Sequence, residues 1–314
     1  MTTSNTLNIV FGTGPLGYAV AEELLNTGKT VKMVNRSGEA DLPTGAVLVR
    51  ADAEDRERTR EICKDAKVVY HCAMPPYNQW KELFPPLTTG IMEGAASANA
   101  KLIYADNLYM YGYTDSPINE NTPNNPLGTK GTVRADMSDN LLAAHKEGKV
   151  KIAIGRASDF YGPRVMASIL GERVFKPALA GKTISMLVNL DVPHSYIYIK
   201  DFAKGLVTLG QEPNALGEIW HIPAAEVLTT RELLHLIFNE TKKTPKVQTT
   251  SPFITNLLSR FNPIIKELRE VMPTYEKSYL VDHSKFQNIF GFEATPHKEA
   301  IKETVNWYKE KYSQ

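Results

Sequence analysis

A glycine-rich turn near the start of the chain carries the residue types that can hold a phosphate group. Gly12, Gly14 and Gly17 follow an apolar run at the spacing that turns a strand tightly into a helix and brings its backbone close to a diphosphate. The free N–H groups at the start of that helix would face the negative ligand. We predict that this turn binds a dinucleotide through Gly12, Thr13, Gly14, Pro15, Leu16 and Gly17. The alternative is a glycine-rich turn that binds nothing.

The second apolar run ends in residues that can distinguish NAD(H) from NADP(H). Asn35, Arg36 and Ser37 follow it, about where a dinucleotide site reads the ribose. A carboxylate there would accept a hydrogen bond from the 2′-hydroxyl of NAD, whereas a guanidinium with amide and hydroxyl neighbours suits a 2′-phosphate. We therefore predict NADP(H) in preference to NAD(H), the alternative being a solvated Arg36. Asp52, after the third run, is a candidate partner of the adenine amino group or a simple helix N-cap.

The substrate side of the predicted cleft follows the fourth apolar run. Cys72 and Ala73 are small enough to pass under a cofactor, so we predict that they contact it. Met74, Tyr77 and Trp80 come next, in a proline-rich stretch that predicts a stiff loop. Large rings on such a loop can form the wall of a substrate pocket. The alternative is that Tyr77 and Trp80 pack beneath the loop as a small core.

The alternation of apolar runs and helical patterns indicates which elements position these residues. Six such runs predict an α/β fold with a doubly wound, mostly parallel sheet and right-handed crossovers. We expect residues 1–163 to form this domain and residues 195–225 to return to it. Residues 164–194 and 226–314 would form a smaller, mainly helical C-terminal lobe on the substrate side. The polar loops after the strands would then line one cleft.

The composition excludes several classes of partner. The chain of 314 residues carries 36 basic and 35 acidic side chains, a formal net charge of +1, so bulk charge predicts neither a nucleic-acid nor a membrane-surface partner. Two cysteines provide no disulfide framework and fit a reducing compartment. The polar start and the lack of a long apolar run predict a cytoplasmic protein.

The order of these motifs resembles the short-chain dehydrogenase/reductase superfamily, in particular its extended epimerase/dehydratase branch, over nearly the whole chain. Besides the glycine turn, the resemblance rests on Tyr111 with Gly112, an Asn-Pro pair at 125–126, and the runs 160–164 (FYGPR) and 199–203 (IKDFA). It implies a Rossmann sheet, a nicotinamide dinucleotide, a small-molecule substrate and, as in many members, a homodimer.

The resemblance breaks at the proton donor. The family uses a Tyr and a Lys four residues later on one helix, where the lysine charge lowers the pKa of the phenol. Aligned on the Asn-Pro pair, this chain has Leu127 at the Tyr position and Gly131 at the Lys position. Lys130 is one residue off, which corresponds to a rotation of about 100° around a helix. The position of the family's Ser or Thr is filled by Asn107.

Two explanations are open. In the first, other groups transfer the proton: we predict Tyr111, Asn107 and Lys130 as catalytic residues, with Tyr161 and His194 on the substrate side. Each also has a structural interpretation, namely packing for Tyr111, a solvated first-turn lysine for Lys130 and a loop cap for His194. In the second, the protein binds NADP(H) without turnover, as the NmrA-like regulators of this superfamily do. We favour an NADP(H)-binding oxidoreductase acting on a small carbonyl or alcohol, with epimerisation or dehydration as alternatives because both begin with the same hydride step.

Overall fold

A parallel sheet of seven strands forms the centre of the molecule, whose computed structural model describes residues 6–249, 270 and 272–313. In chain order the strands are β1 Leu7–Phe11, β2 Thr30–Asn35, β3 Val47–Arg50, β4 Val68–His71, β5 Lys101–Asp106, β6 Lys151–Arg156, β7 Asp159–Tyr161, β8 Ile184–Met186, β9 Pro193–His194, β10 Tyr196–Tyr198, β11 Ile219–His221, β12 Leu228–Thr229 and β13 Val247–Thr249. The large sheet has the order β11-β6-β5-β4-β1-β2-β3, and its neighbours are all parallel. The predicted doubly wound α/β fold is confirmed.

The helices cover both faces of this sheet. Those of the described residues are α1 Pro15–Asn26, α2 Arg56–Cys63, α3 Trp80–Ser97, α4 Thr129–Lys146, α5 Glu172–Ala180, α6 Ile199–Gln211, α7 Thr230–Thr241, α8 Ser284–Phe290 and α9 His297–Ser313. Successive residues of β1 enter opposite cores, Val10 with α1 and α6, and Ile9 with α2, α3 and α4. Burial on both faces explains why the strands are continuous apolar runs. In the part of the chain that the structure describes, no helix is long and apolar enough to cross a membrane.

The stretch after β4 differs from the predicted stiff loop. α3 begins at Trp80 and continues through Pro85 and Pro86, each of which withholds one backbone hydrogen bond from the helix. The indole of Trp80 is buried, lies 5.3 Å from the ring of Phe84, and donates its Nε1–H to the carbonyl of Pro75 at 3.2 Å. Packing against these apolar rings offsets the lost helix bonds, and Trp80 is a core residue, not a pocket wall.

The segment 195–225 is divided between two sheets. β11 pairs with β6 in the large sheet, and α6 packs against α1. The strand expected to return to the large sheet, β10, instead pairs with β7 in a separate two-stranded sheet. The remaining short strands pair as β9 with β12 and β8 with β13. The domain boundaries given above stay a prediction.

Candidate active site

The glycine-rich turn between β1 and α1 contains two glycines that the fold requires and one that it does not. A Cβ at Gly12, whose φ is 103°, would lie 2.7 Å from the backbone of Cys72 and Ala73. A Cβ at Gly17 would lie 2.0 Å from the carbonyl oxygen of Gly12. Gly14 has a φ of −70°, and a Cβ there would meet no described atom within 4 Å. The packing of the chain therefore does not require a glycine at position 14. Without a side chain there, a ligand can approach the N-terminus of α1, which suits an anion.

The amide of Asn35 is occupied within its own loop. It donates to Thr13 Oγ1 and to the carbonyl of Glu39, both at 2.9 Å, and its oxygen accepts from the N–H of Gly38 at 2.8 Å. The hydroxyl of Ser37 also bonds within the loop, to the carbonyl of Glu39 at 3.0 Å. These hydrogen bonds fix the loop at the end of β2, and that of Asn35 to Thr13 joins it to the glycine turn. Neither side chain is therefore placed for the predicted phosphate contact.

Two arginines lie near each other at the C-terminal ends of β2 and β3. Arg36 is exposed, and neither it nor Arg50 has an ion-pair partner among the described residues. Arg50 Nε donates to the carbonyl of Arg36 at 3.1 Å, and its stem lies against Gly38. Arg50 was not predicted as a site residue, although it ends β3 directly opposite Asn35 in the register of β2. Two exposed guanidinium groups that have no anionic partner among the described residues can bind a phosphate group.

Asp52 does not cap the following helix. Its Oδ1 accepts from the N–H of Glu54 at 3.1 Å, whereas Asp55 is the N-cap of α2 and accepts from the N–H of Arg58 at 3.0 Å. The N-cap alternative for Asp52 is therefore wrong. Its side chain is exposed after β3, and the adenine contact stays a prediction.

Tyr111 lies inside the protein. It is 1% exposed, and its hydroxyl accepts from Arg156 Nη1 at 2.6 Å and contacts His221 Nε2 at 2.9 Å. Burial raises the pKa of this phenol. Because both contacts belong to the core, this geometry does not fit the predicted catalytic role, and the structural interpretation of Tyr111 replaces it.

A buried charge network explains why Tyr111 points inward. Asp106, at the end of β5, pairs with Arg156 at 3.0 Å and with Arg134 at 3.3 Å, and accepts from the hydroxyl of Ser138 at 2.9 Å. Arg134 also lies over the ring of Phe84, 4.3 Å from its centroid. Two guanidinium groups thus share one carboxylate beneath the loop that follows β5. This network was not predicted, because its members come from three different elements.

Tyr109, in the same loop, forms a pair with Tyr77 from the segment after β4. The hydroxyls of Tyr77 and Tyr109 lie 2.6 Å apart, and both side chains are half-buried. Lys130, which is 3% exposed, places its Nζ 5.0 Å from the Tyr77 ring centroid and 3.2 Å from Glu270 Oε2. The solvated interpretation of Lys130 is therefore wrong. Asn107 accepts from the N–H of Tyr109 at 3.1 Å and so holds the loop.

Burial raises the pKa of both phenols of this pair, and the charge of Arg134 acts in the opposite direction on both. Tyr77 was predicted only as a substrate contact, and Tyr109 was missed, because a bond between residues 32 positions apart leaves no local signal.

The other residues that were predicted to contact the substrate differ in how far they are exposed to solvent. His194 is buried with its Nε2 3.0 Å from Asp159 Oδ2, and Tyr161 is buried with its hydroxyl 2.7 Å from His297 Nδ1. Neither ring is exposed to solvent. Met74, by contrast, is 61% exposed. Its substrate contact stays a prediction.

Comparison with known proteins identifies relatives of this chain. The model of the NAD dependent epimerase/dehydratase family matches residues 9–222. The protein named "Uncharacterized UDP-glucose epimerase YtcB" of Bacillus subtilis is 24% identical over 187 residues, which cover 56% of this chain and 59% of that relative. The chain thus spans less than two thirds of this curated relative.

Solved structures share the fold at low identity. The crystal structure of UDP-glucose 4-epimerase with UDP-glucose from Thermotoga maritima has a TM-score of 0.79 at 18% identity, covering 98% of this chain and 100% of that one. The structure of dTDP-glucose 4,6-dehydratase with NAD from Bacillus anthracis has a TM-score of 0.80 at 17% identity, covering 98% of each chain. The family match spans more than half of the sequence and includes the glycine turn and the loop with the tyrosine pair. The chain therefore belongs to the NAD dependent epimerase/dehydratase family.

Proposed function

We propose that the protein is an NADP(H)-dependent oxidoreductase of the epimerase/dehydratase kind, in which Tyr77 and Tyr109 replace the missing catalytic tyrosine. The observation that carries this proposal is the 2.6 Å contact between the two hydroxyls, beside the buried ammonium group of Lys130. Leu127, at the usual tyrosine position, has no group that can exchange a proton.

The residues at the C-terminal ends of the strands fit a nicotinamide dinucleotide. The N–H groups at the start of α1, beside the open face of Gly14, would hold its diphosphate, and Arg36 with Arg50 would hold a 2′-phosphate. When bound, the cofactor supplies or accepts a hydride at its nicotinamide ring. The preference for NADP(H) follows from the two arginines and from the lack of a carboxylate directly after β2.

The tyrosine pair would move the accompanying proton. During reduction, Tyr77 donates its proton to the oxygen of the substrate carbonyl, and the hydroxyl of Tyr109 stabilises the phenolate that remains. During oxidation, the same phenolate takes the proton of the alcohol. Asn107 and the charge network beneath the loop keep Tyr109 in place. Lys130 holds a positive charge over the ring of Tyr77, partly balanced by Glu270.

The relatives suggest which substrates to test first. UDP-glucose is bound in the Thermotoga maritima structure, so we propose a sugar-like alcohol or ketone, of which sugar nucleotides are the first class to test. Loss of a hydride from a carbon and of a proton from the hydroxyl group on that carbon is the common first step of alcohol oxidation, epimerisation and dehydration. The same residues would serve each of these outcomes.

Single substitutions test the tyrosine pair. Tyr77→Phe and Tyr109→Phe should each lower kcat by about 10²- to 10⁴-fold, the usual contribution of a positioned acid or base. Turnover is followed as loss of NADPH absorbance with a panel of carbonyl compounds and as conversion of UDP-glucose by chromatography. Tyr312→Phe is the matched control, because its hydroxyl contacts Glu172 on α5, at the outer surface of the C-terminal helix. Unchanged turnover in Tyr77→Phe would contradict the assignment, and NADPH binding without any turnover would favour the binding-only alternative.

A further inference from the structure

A cleft of about 290 Å³ lies between α1 and the C-terminal helix α9. Its walls are one face of α1, from Pro15 to Glu22, and one face of α9, from Glu303 to Glu310. On both helices the lining positions recur at i, i+3, i+4 and i+7, which is the spacing of residues on one side of a helix. In the described part of the chain, Pro15 is the only residue assigned above to the cofactor or to proton transfer that lines this cleft. The cleft is therefore a separate candidate site.

At one end of the cleft, two carboxylates share one ammonium group. Lys200 Nζ lies 2.6 Å from Glu303 Oε1 and 3.4 Å from Glu22 Oε2. The other oxygen of Glu303 accepts from the hydroxyl of Tyr198 at 2.6 Å. Burial opposes the negative charge of Glu303, but the hydrogen bonds from Lys200 and Tyr198 lower its pKa overall. Two negative charges against one positive charge leave an excess of negative charge at this end.

Glu310 adds a second negative charge two turns further along α9. Its side chain is exposed, and no Lys or Arg of the described residues forms an ion pair with it. Arg164 also lines the cleft, but it pairs with Asp41 at 2.7 Å and lies over the ring of Tyr18, 3.6 Å from its centroid. Seven residues of helix separate Glu310 from Glu303 by about 10 Å along the axis. The cleft thus carries excess negative charge at two points about 10 Å apart.

An apolar surface lies between these two points. Trp307 is half-buried, lines the cleft, and is about one helical turn from each of the two carboxylates of α9. Ala19 and Ile199, both buried, also line the cleft. The ammonium group of Lys311 already lies 5.6 Å from the centroid of the indole, so we assign the indole to a hydrocarbon chain and not to a further cation. A methylene chain can lie along such a surface while its charged ends stay with the carboxylates.

We propose that this cleft binds a linear diammonium compound of the polyamine class. One ammonium group would lie at Glu22 and Glu303, the other at Glu310, and the methylene chain would lie along Trp307. An extended diamine of eight carbons spans about the 10 Å between the charged points, whereas a diamine of four carbons reaches only one of them. A dicarboxylate of the same length would be repelled at both ends. This inference does not rest on the proposed function.

Three matched amines test the number and the spacing of the charges in the full chain. Calorimetry at low ionic strength, where charge interactions are screened least, compares octane-1,8-diamine with octan-1-amine and butane-1,4-diamine. The long diamine should bind about three- to fivefold more tightly than either, as expected for one additional exposed ion pair. Glu310→Gln should lower its affinity to that of octan-1-amine. Glu82→Gln, which removes an exposed carboxylate of α3, should leave it unchanged.

Fluorescence shows where the diamine binds. Trp307 is the half-buried tryptophan, whereas Trp80 and Trp220 are each 2% exposed. Octane-1,8-diamine should therefore change the emission of Trp307 along the same binding curve that calorimetry gives. Trp307→Phe should abolish this change.

Three results would overturn the inference. The first is equal affinity for octane-1,8-diamine and octan-1-amine in the unmodified protein, which would indicate unspecific binding of amines to the surface. The second is full affinity for the long diamine in Glu310→Gln, a variant that should fold because the side chain is exposed. The third is an emission change that survives in Trp307→Phe. None of these measurements needs a cofactor or turnover, so their outcome is independent of the function proposed above.

Discussion

Replacing Gly14 or Gly17 by alanine adds one methyl group to the same turn, but the two variants should lose different properties. At Gly14 the added carbon meets no described atom within 4 Å, and the φ of −70° is open to any residue. At Gly17 the added carbon would lie 2.0 Å from the carbonyl oxygen of Gly12. Gly14→Ala should therefore fold and lose cofactor affinity, whereas Gly17→Ala should lose stability.

The sizes of both effects follow from this geometry. Gly14→Ala removes some freedom from the unfolded chain and replaces a better N-cap residue, two effects of opposite sign that leave stability within about 1 kcal/mol of the parent. Its methyl group would displace a diphosphate from one or two backbone N–H groups. Each hydrogen bond to a charged group contributes about 1.5–3 kcal/mol, so the Kd for NADPH should rise by at least about tenfold. Overpacking at Gly17 should cost about 3 kcal/mol.

Two measurements on the same samples separate these effects. Urea unfolding gives the stability of each variant, and calorimetric titration with NADPH gives its Kd. A Gly14→Ala protein of parental stability that binds NADPH with the parental Kd would refute the placement of the diphosphate at this turn. A fully stable Gly17→Ala protein would refute the close contact between the turn and α1.

Three further predictions concern other parts of the molecule. Tyr111→Phe removes the partner of Arg156 and His221, so urea unfolding should show a loss of about 1–3 kcal/mol while turnover stays within a few-fold; a large loss of kcat at unchanged stability would restore Tyr111 as the proton donor. Burial lowers the pKa of His71 and of His221 to about 3, whereas an unfolded histidine titrates near 6.5, so the unfolded chain takes up protons first and stability is lost as the pH falls below about 6.5. Unfolding near neutral pH and at about pH 5 should differ by about 2 kcal/mol for each histidine, and a constant or rising stability would contradict their burial in the neutral form. Arg36→Ala should weaken NADPH by about tenfold and leave NADH unchanged, as competition titrations can show; equal losses for both would exclude a 2′-phosphate contact.

The sheet could be predicted from the sequence because its signals are local. Parallel strands buried on both faces leave continuous apolar runs, and the first crossover carries its own glycines. α1 begins at Pro15 as predicted, since proline costs no hydrogen bond there. The first half of α3 was missed because Pro85 and Pro86 are loop signals, and only the packing of Trp80 and Phe84 in the folded protein outweighs them.

The substrate side depends on contacts between distant segments, which no local pattern reveals. Tyr109 and Tyr111 are two residues apart in one short 3₁₀ turn, yet the hydroxyl of Tyr109 contacts Tyr77 and the hydroxyl of Tyr111 contacts Arg156 in the core. The buried guanidinium that decides between them lies 45 residues further along the chain. Asp159 and His194 likewise meet only because β7 and β9 fold against one another.

Calorimetric titration of the unmodified protein with NADPH and with NADH tests cofactor binding most directly. Saturable heat should appear with both dinucleotides, and the exposed Arg36 after β2 and Arg50 at the end of β3 should make NADPH bind at least about tenfold more tightly. The absence of any heat with either dinucleotide, in protein shown to be folded, would contradict the cofactor site and the proton transfer proposed beside it.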